Sequence, residues 1–107
     1  MGKHKVIRGL PEELKETSLR VAVDMDSDAP EAKARTQALR EAMSRDDFTV
    51  LTMAAKGIGP RLMQQRFKGT TEYWRTRIAK VMGTAWRLSD EEGYRRFAAM
   101  YEYENSY

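Results

Sequence analysis

An all-α fold is predicted for this chain: a compact helical domain of about five to six helices that contains a helix-turn-helix unit. Three observations predict it. The residues that favour helix (Ala, Leu, Met, Lys, Arg, Glu and Gln) make up 58 of the 107 residues, whereas Val and Ile together make up eight, a balance that disfavours strands. Apolar residues recur three and four positions apart, the period of a helix with one buried side. Glycines, prolines and small hydroxyl residues fall where such helices must stop and start. A length of 107 residues is one domain's worth, so residues 1–107 are read as a single domain.

Residues 1–10 carry Lys3, Lys5 and Arg8 and no acid, and read as a flexible basic N-terminus. Residues 11–45 read as an N-terminal helical segment. Pro11 suits a first turn, and Glu12 and Glu13 complement the positive end of a helix dipole. Leu14, Thr17 or Ser18, and Val21 share the buried face of this first helix. Leu19, Val21 and Val23 also alternate, so a short strand is the competing reading. The run Asp24-Met-Asp-Ser-Asp-Ala-Pro is a break. It opens like a calcium loop, but the sixth position, which needs Gly, is Ala29, and the twelfth, which needs Glu, is Arg35. It is therefore read as a capping and linker segment. A second helix is expected from about Pro30 to Arg45, with Ala34, Ala38, Leu39, Ala42 and Met43 as its apolar stripe.

A third helix is expected to begin near Ser44 to Asp46 and to end at Lys56, with Phe48, Leu51, Thr52 and Ala55 on one face. Gly57 stands where a left-handed C-terminal cap is needed. Pro60 opens a short helix reaching Phe67, and Lys68 and Gly69 form a turn. Thr70 or Thr71 caps a further helix reaching about Met82, with Gly83 as its stop. Ser89 to Glu92 is a capping box opening a last helix within residues 88–103, before a frayed Tyr/Glu tail. Its face is Tyr94, Phe97, Ala98 and Tyr101. Trp86 is expected to pack this last helix against the preceding three.

Charge narrows the function. Residues 56–87 hold eight cations (Lys56, Arg61, Arg66, Lys68, Arg75, Arg77, Lys80 and Arg87) against the single acid Glu72. Residues 11–32 hold seven acids and two cations. This asymmetry points to a polyanion partner for the middle of the chain, although a solvated charged face has the same composition. Cysteine is absent and His4 is the only histidine, which excludes disulfide scaffolds, thiolate metal sites and cysteine nucleophiles. No window approaches the apolar length of a bilayer span, so a cytoplasmic protein with no membrane partner is expected. No phosphate-binding glycine loop is present. The carboxylate pairs Glu12/Glu13, Asp46/Asp47 and Glu91/Glu92 each fall at an expected helix start, where the dipole accounts for them. The chain is read as a non-enzyme with no metal or cofactor.

The informative stretch is residues 46–83, three short helices joined by tight turns, the dimensions of a helix-turn-helix unit. Over residues 50–83 it resembles the helix-turn-helix of LuxR-type output domains and of sigma-factor region 4. Val50, Leu51, Met53 and Ala54 match the first helix, and Lys56-Gly57-Ile58 its end. Met63 and Phe67 match the buried positions of the scanning helix, Thr70 the cap, and Trp74, Ile78 and Val81 the buried side of the recognition helix. The resemblance implies a domain that reads the DNA major groove.

The residues make their own case. On a helix from Thr71 to Met82, Trp74, Ile78, Val81 and Met82 lie on one side. Thr70, Tyr73, Arg77 and Lys80 lie opposite, with Arg75 and Thr76 on the shoulders. Such a split lets one stripe dock in a core while the other enters a major groove. Arg77 suits the O6/N7 edge of guanine, and Thr76 or Tyr73 a thymine methyl or a phosphate. Thr70 and Thr71 at the helix start suit a phosphate. Lys56, Arg61, Arg66 and Lys68 are expected to flank the groove as backbone contacts. Trp74, in phase with the apolar stripe, reads as core rather than as a base-stacking platform.

The sequence thus points to a small transcriptional regulator that binds double-stranded DNA sequence-specifically through a helix at about 71–82. A homodimer seam through Tyr94, Phe97 and Tyr101 would pair two half-sites, and residues 11–32 could mask the basic segment. The alternatives are a helical protein–protein module, such as a phage-type inhibitor or adaptor of a host polymerase or nuclease, with a partner such as RNA polymerase, or a DNA packaging or replication accessory protein.

Overall fold

The computed structural model describes residues 6–90, with side chains described to Leu88. Among these residues the fold is all-helical, with five helices: α1 (Glu12–Asp26), α2 (Pro30–Ala42), α3 (Arg45–Ala55), α4 (Pro60–Arg66) and α5 (Thr71–Asp90). α5 packs against α1, α3 and α4, and α2 closes the other side by packing on α1 and α3. Leu51, Ala54, Met63, Ile78 and Met82 are sealed at the centre of the apolar cluster.

Local chemistry sets the boundaries. Pro11 caps α1 through its carbonyl, which accepts from the Leu14 and Lys15 amides. Val21 and Ala22 are buried and the side chains of Leu19 and Val23 lie exposed, the outcome of a helical rather than an alternating period. Thr17 turns its hydroxyl back to the Glu13 carbonyl at 2.9 Å, and the fully buried Ser18 hydroxyl has no partner. At α3, the Ser44 hydroxyl accepts from the Asp47 amide at 3.1 Å, a side-chain N-cap. Its far end closes with Gly57 at φ +94°. There the Gly57 amide donates to Ala54 and the Ile58 amide to Met53, the paired bonds of a Schellman motif. Pro60 opens α4 one residue after Gly59.

Six expectations are corrected. α2 ends at Ala42 and not at Arg45, because Met43 is extended and Ser44 is already the cap of α3. Ala42 is exposed rather than part of the apolar stripe. Asp24, Met25 and Asp26 belong to α1 and not to a break. Asp24 is buried, and Arg35 donates to both its carboxylate oxygens at 2.8 and 2.9 Å; the residue that spoils the calcium-loop pattern is the one that neutralises its first acid. Gly83 does not stop α5, which runs on to Asp90. A glycine inside a helix costs only about 1 kcal/mol, and Ala85 continues the buried stripe one turn beyond it. Ser89 and Asp90 therefore lie inside α5 and do not open a separate helix. Lastly, residues 6–10 are not a loose tail: Ile7 is buried in the core, and Leu10 packs on it.

Phe67 departs in its burial, being 46% exposed, because α4 ends at Arg66 and the chain leaves the helix in an extended conformation at Phe67. Trp86 is 37% exposed. The expected C-terminal face of Tyr94, Phe97, Ala98 and Tyr101, like Glu92 of the capping box, lies outside the described residues.

Candidate nucleic-acid interface

The α4–turn–α5 corner is fixed by one backbone conformation and three hydrogen bonds. Gly69 takes φ +122°, a left-handed conformation that side chains disfavour. The Thr70 hydroxyl accepts from the Tyr73 amide at 3.0 Å, capping α5 as its position predicts. The Trp74 indole N–H donates to the Lys68 carbonyl at 3.1 Å, so the core tryptophan also holds the turn. The Thr71 hydroxyl donates to Gln64 of α4 at 2.5 Å.

α5 then divides its residues. Trp74, Ile78, Val81, Met82 and Ala85 are buried. Tyr73, Thr76, Lys80 and Arg87 are exposed and stand three, four and seven positions apart, one face of a helix. Thr76, about 200° round the helix from Trp74 at 100° per residue, lies opposite the buried stripe and not on its shoulder. From Tyr73 to Leu88 the helix carries no carboxylate. The exposed face from Tyr73 to Arg87 is about 21 Å long at 1.5 Å per residue.

Arg77 sits elsewhere than expected. It lies at the edge of the face, its side chain 24% exposed, and donates to Asp47 of α3 at 3.3 Å and to the Tyr73 hydroxyl at 3.2 Å. Its guanidinium also lies 5.6 Å from the centre of the Trp74 ring, within cation–π range. Burial works against its charge, and the hydrogen bonds to Asp47 and Tyr73 outweigh that penalty, so its pKa is raised above the ordinary value. A fork spent on these contacts orients Tyr73 instead of projecting toward a ligand.

The other expected residues separate into groups. Arg61, Thr71 and Arg75 line one cavity of about 210 Å³ together with Arg8. Arg75 also pairs with Glu72 at the surface. Arg66 and Lys68 are exposed around the turn. Lys56 lies apart from all of these. It lines a cavity of about 520 Å³ with Asp24 of α1, Asp28 between α1 and α2, and Lys33 and Arg40 of α2, and no residue of α4 or α5 contributes.

Three participants escaped the sequence reading. Arg87 joins the face because α5 continues past Gly83; its spacing of seven from Lys80 was the available signal. Arg8 joins because Ile7 anchors the segment that carries it, and the signal was an apolar residue inside a basic stretch. Asp47 gave no sign, since its partner is thirty residues away.

No protein-family model matches this chain, and neither a curated protein nor a solved structure matches it. What its own coordinates define is an all-helical domain whose α4–α5 corner presents a basic, carboxylate-poor helix face. Among the described residues, no helix is long and apolar enough to cross a membrane.

Proposed function

We propose that this chain is a sequence-specific double-stranded DNA-binding protein, a small transcriptional regulator that reads the major groove with α5. One observation supports the reading above the others: α5 buries the stripe of Trp74, Ile78, Val81, Met82 and Ala85 and turns outward Tyr73, Thr76, Lys80 and Arg87, with Glu72 of its first turn, paired to Arg75, as the one carboxylate beside them among the described side chains. The major groove is about 12 Å wide and admits one helix. In this reading Tyr73 and Thr76 meet base edges, Lys80 and Arg87 meet phosphates or guanines, and Arg66 and Lys68 flank the backbone. Arg77 is a positioning residue that holds Tyr73 in place.

Duplex binding by fluorescence anisotropy at several salt concentrations tests it. The expected salt slope reflects roughly five or more phosphates, about −4.5 or steeper. Thr76→Glu adds a carboxylate opposite the buried stripe, one turn beyond Glu72, and should lower affinity by more than about ten-fold, a loss of more than about 1.4 kcal/mol from like charge against phosphate. No binding by the parent chain at low salt would overturn the proposal.

A second reading, a protein-docking module, draws on a different observation. Leu62, Phe67 and Tyr73 are 43%, 46% and 49% exposed, and Phe67 borders an apolar cavity of about 220 Å³ floored by Met53, Met63 and Trp74. A partner such as RNA polymerase could seat a side chain there. Such a complex would tolerate Thr76→Glu and fail with Phe67→Ala.

A further inference from the structure

Residues 6–10 of the expected loose N-terminus are instead fastened across the starts of α4 and α5. Ile7 is buried, and a Cβ placed on Gly59 would lie 3.5 Å from its Cγ2, so the segment rests directly on the α3–α4 turn. Leu10 packs on the core. Gly9, at φ +88°, turns the chain between these anchors. Arg8 is therefore carried on fixed backbone and is exposed. With Arg61 of α4 and Arg75 of α5 it lines the cavity of about 210 Å³. Three arginines from distant positions in the chain line it, and no carboxylate does. Arg8 and Arg61 have no ion-pair partner among the described residues.

We propose that Arg8, Arg61 and Arg75 form a clamp for the phosphate backbone of the duplex beside α5; this rests on the DNA-binding reading above and adds the N-terminal segment to its surface. Gathering like charges is unfavourable in the free protein and is relieved when a polyanion fills the space between them. The guanidinium fork matches the oxygens of a phosphate in two parallel hydrogen bonds. The cavity is smaller than the roughly 300 Å³ at which sites for whole small molecules begin, and suits a single backbone group. Glu72 holds Arg75 only by a surface pair, its side chain 78% exposed. Such pairs contribute little, so a phosphate can displace it. The clamp also lies to one side of α5, on the flank opposite the Arg77–Asp47 pair. One strand of a groove that received the helix would pass there.

The test compares the parent chain with Arg8→Gln and Arg61→Gln, using Lys33→Gln as a control from the α1–α3 cavity. Each is titrated onto two fluorescein-labelled duplexes, one selected from a random-sequence pool by binding to the parent chain and a scrambled version of it, at several salt concentrations. Each clamp variant should flatten the salt slope by about 0.9, which amounts to about eight-fold in affinity at 0.1 M salt. The loss should be equal on both duplexes, because a phosphate contact carries no sequence information. Lys33→Gln should match the parent. Thermal melting of the variants checks that the fold is kept, and Arg8→Lys should restore the slope without the fork. A parent that binds while Arg8→Gln and Arg61→Gln keep its slope and affinity would overturn the clamp and leave the DNA reading standing. A parent that does not bind overturns both.

Discussion

At the α1–α2 corner the cation is consumed inside the fold. Arg35 donates through two nitrogens to both carboxylate oxygens of Asp24, whose side chain is 7% exposed, and the corner closes with that pair as its polar bolt. Among the described residues no ion pair joins α4 to α5. Backbone conformation at Gly69, the Thr70 cap and the Trp74 indole bond hold the corner between them, and Arg61, Arg66 and Lys68 pair with no carboxylate among the described residues. The two corners differ in where their charge goes. A corner that neutralises its arginine serves the fold; a corner held by neutral contacts leaves its cations for something else. Arg77 stands between these cases, half-spent on Asp47 and half on presenting Tyr73.

The largest effect expected from breaking this contrast is at Gly69. A Cβ there would meet Tyr73 Cδ2 at 3.0 Å and Trp74 Nε1 at 3.1 Å, on a backbone at φ +122°. Gly69→Ala should cost about 3 kcal/mol, combining backbone strain with displacement of the indole bond. Urea denaturation reads this as a lower midpoint with an unchanged slope. It should also weaken duplex binding, because the start of α5 is re-aimed. A midpoint equal to the parent's would show that the turn relaxes freely and that Gly69 does not fix the corner.

The α1–α2 corner should respond less. Asp24→Asn keeps the shape and removes the charge that Arg35 satisfies. Arg35 is 33% exposed at its side chain, so water recovers part of the loss, and the expected cost is about 2 kcal/mol rather than the 3–5 of a fully buried pair. Duplex affinity should stay at the parent's value, since neither Asp24 nor Arg35 belongs to the residues proposed to meet DNA. If Asp24→Asn lowered affinity as much as a clamp variant does, the division of labour between the corners would be wrong.

The sequence foretold the corners better than it foretold their use of charge. Ser44, Gly57, Pro60 and Thr70 act within one turn of their own position, and each marked its boundary in advance. The all-helical fold followed from them and from the spacing of Trp74, Ile78 and Val81. What stayed hidden depends on residues brought together by packing. Arg77 is equally compatible with an exposed and a bridged position until Asp47 is placed beside it. Arg8 reads as tail until Ile7 finds the core. Asp24 reads as linker until Arg35 arrives from the next helix. Local capping is written in neighbouring letters, whereas the partner of a charge is a property of the folded chain.

Gly83 is the case where the same letter supports two structures with opposite consequences, and its substitution sharpens the account most cheaply. If the helix ended there, Gly83 would occupy the left-handed capping position, and alanine would cost about 1 kcal/mol or more. In the continuous α5, Gly83 lies in mid-helix, outside the positive-φ set of Gly9, Gly57 and Gly69, and an added Cβ meets no atom within 4 Å. Gly83→Ala should then stabilise the protein by about 1 kcal/mol through helix propensity alone, raising the urea midpoint. The sign decides the matter without reference to magnitude. It bears on function as well, because Arg87 shares a face with Thr76 and Lys80 only if the helix passes through Gly83 unbroken. A stabilised Gly83→Ala variant should therefore bind duplex at least as tightly as the parent, its long basic face being held in the shape that binding requires.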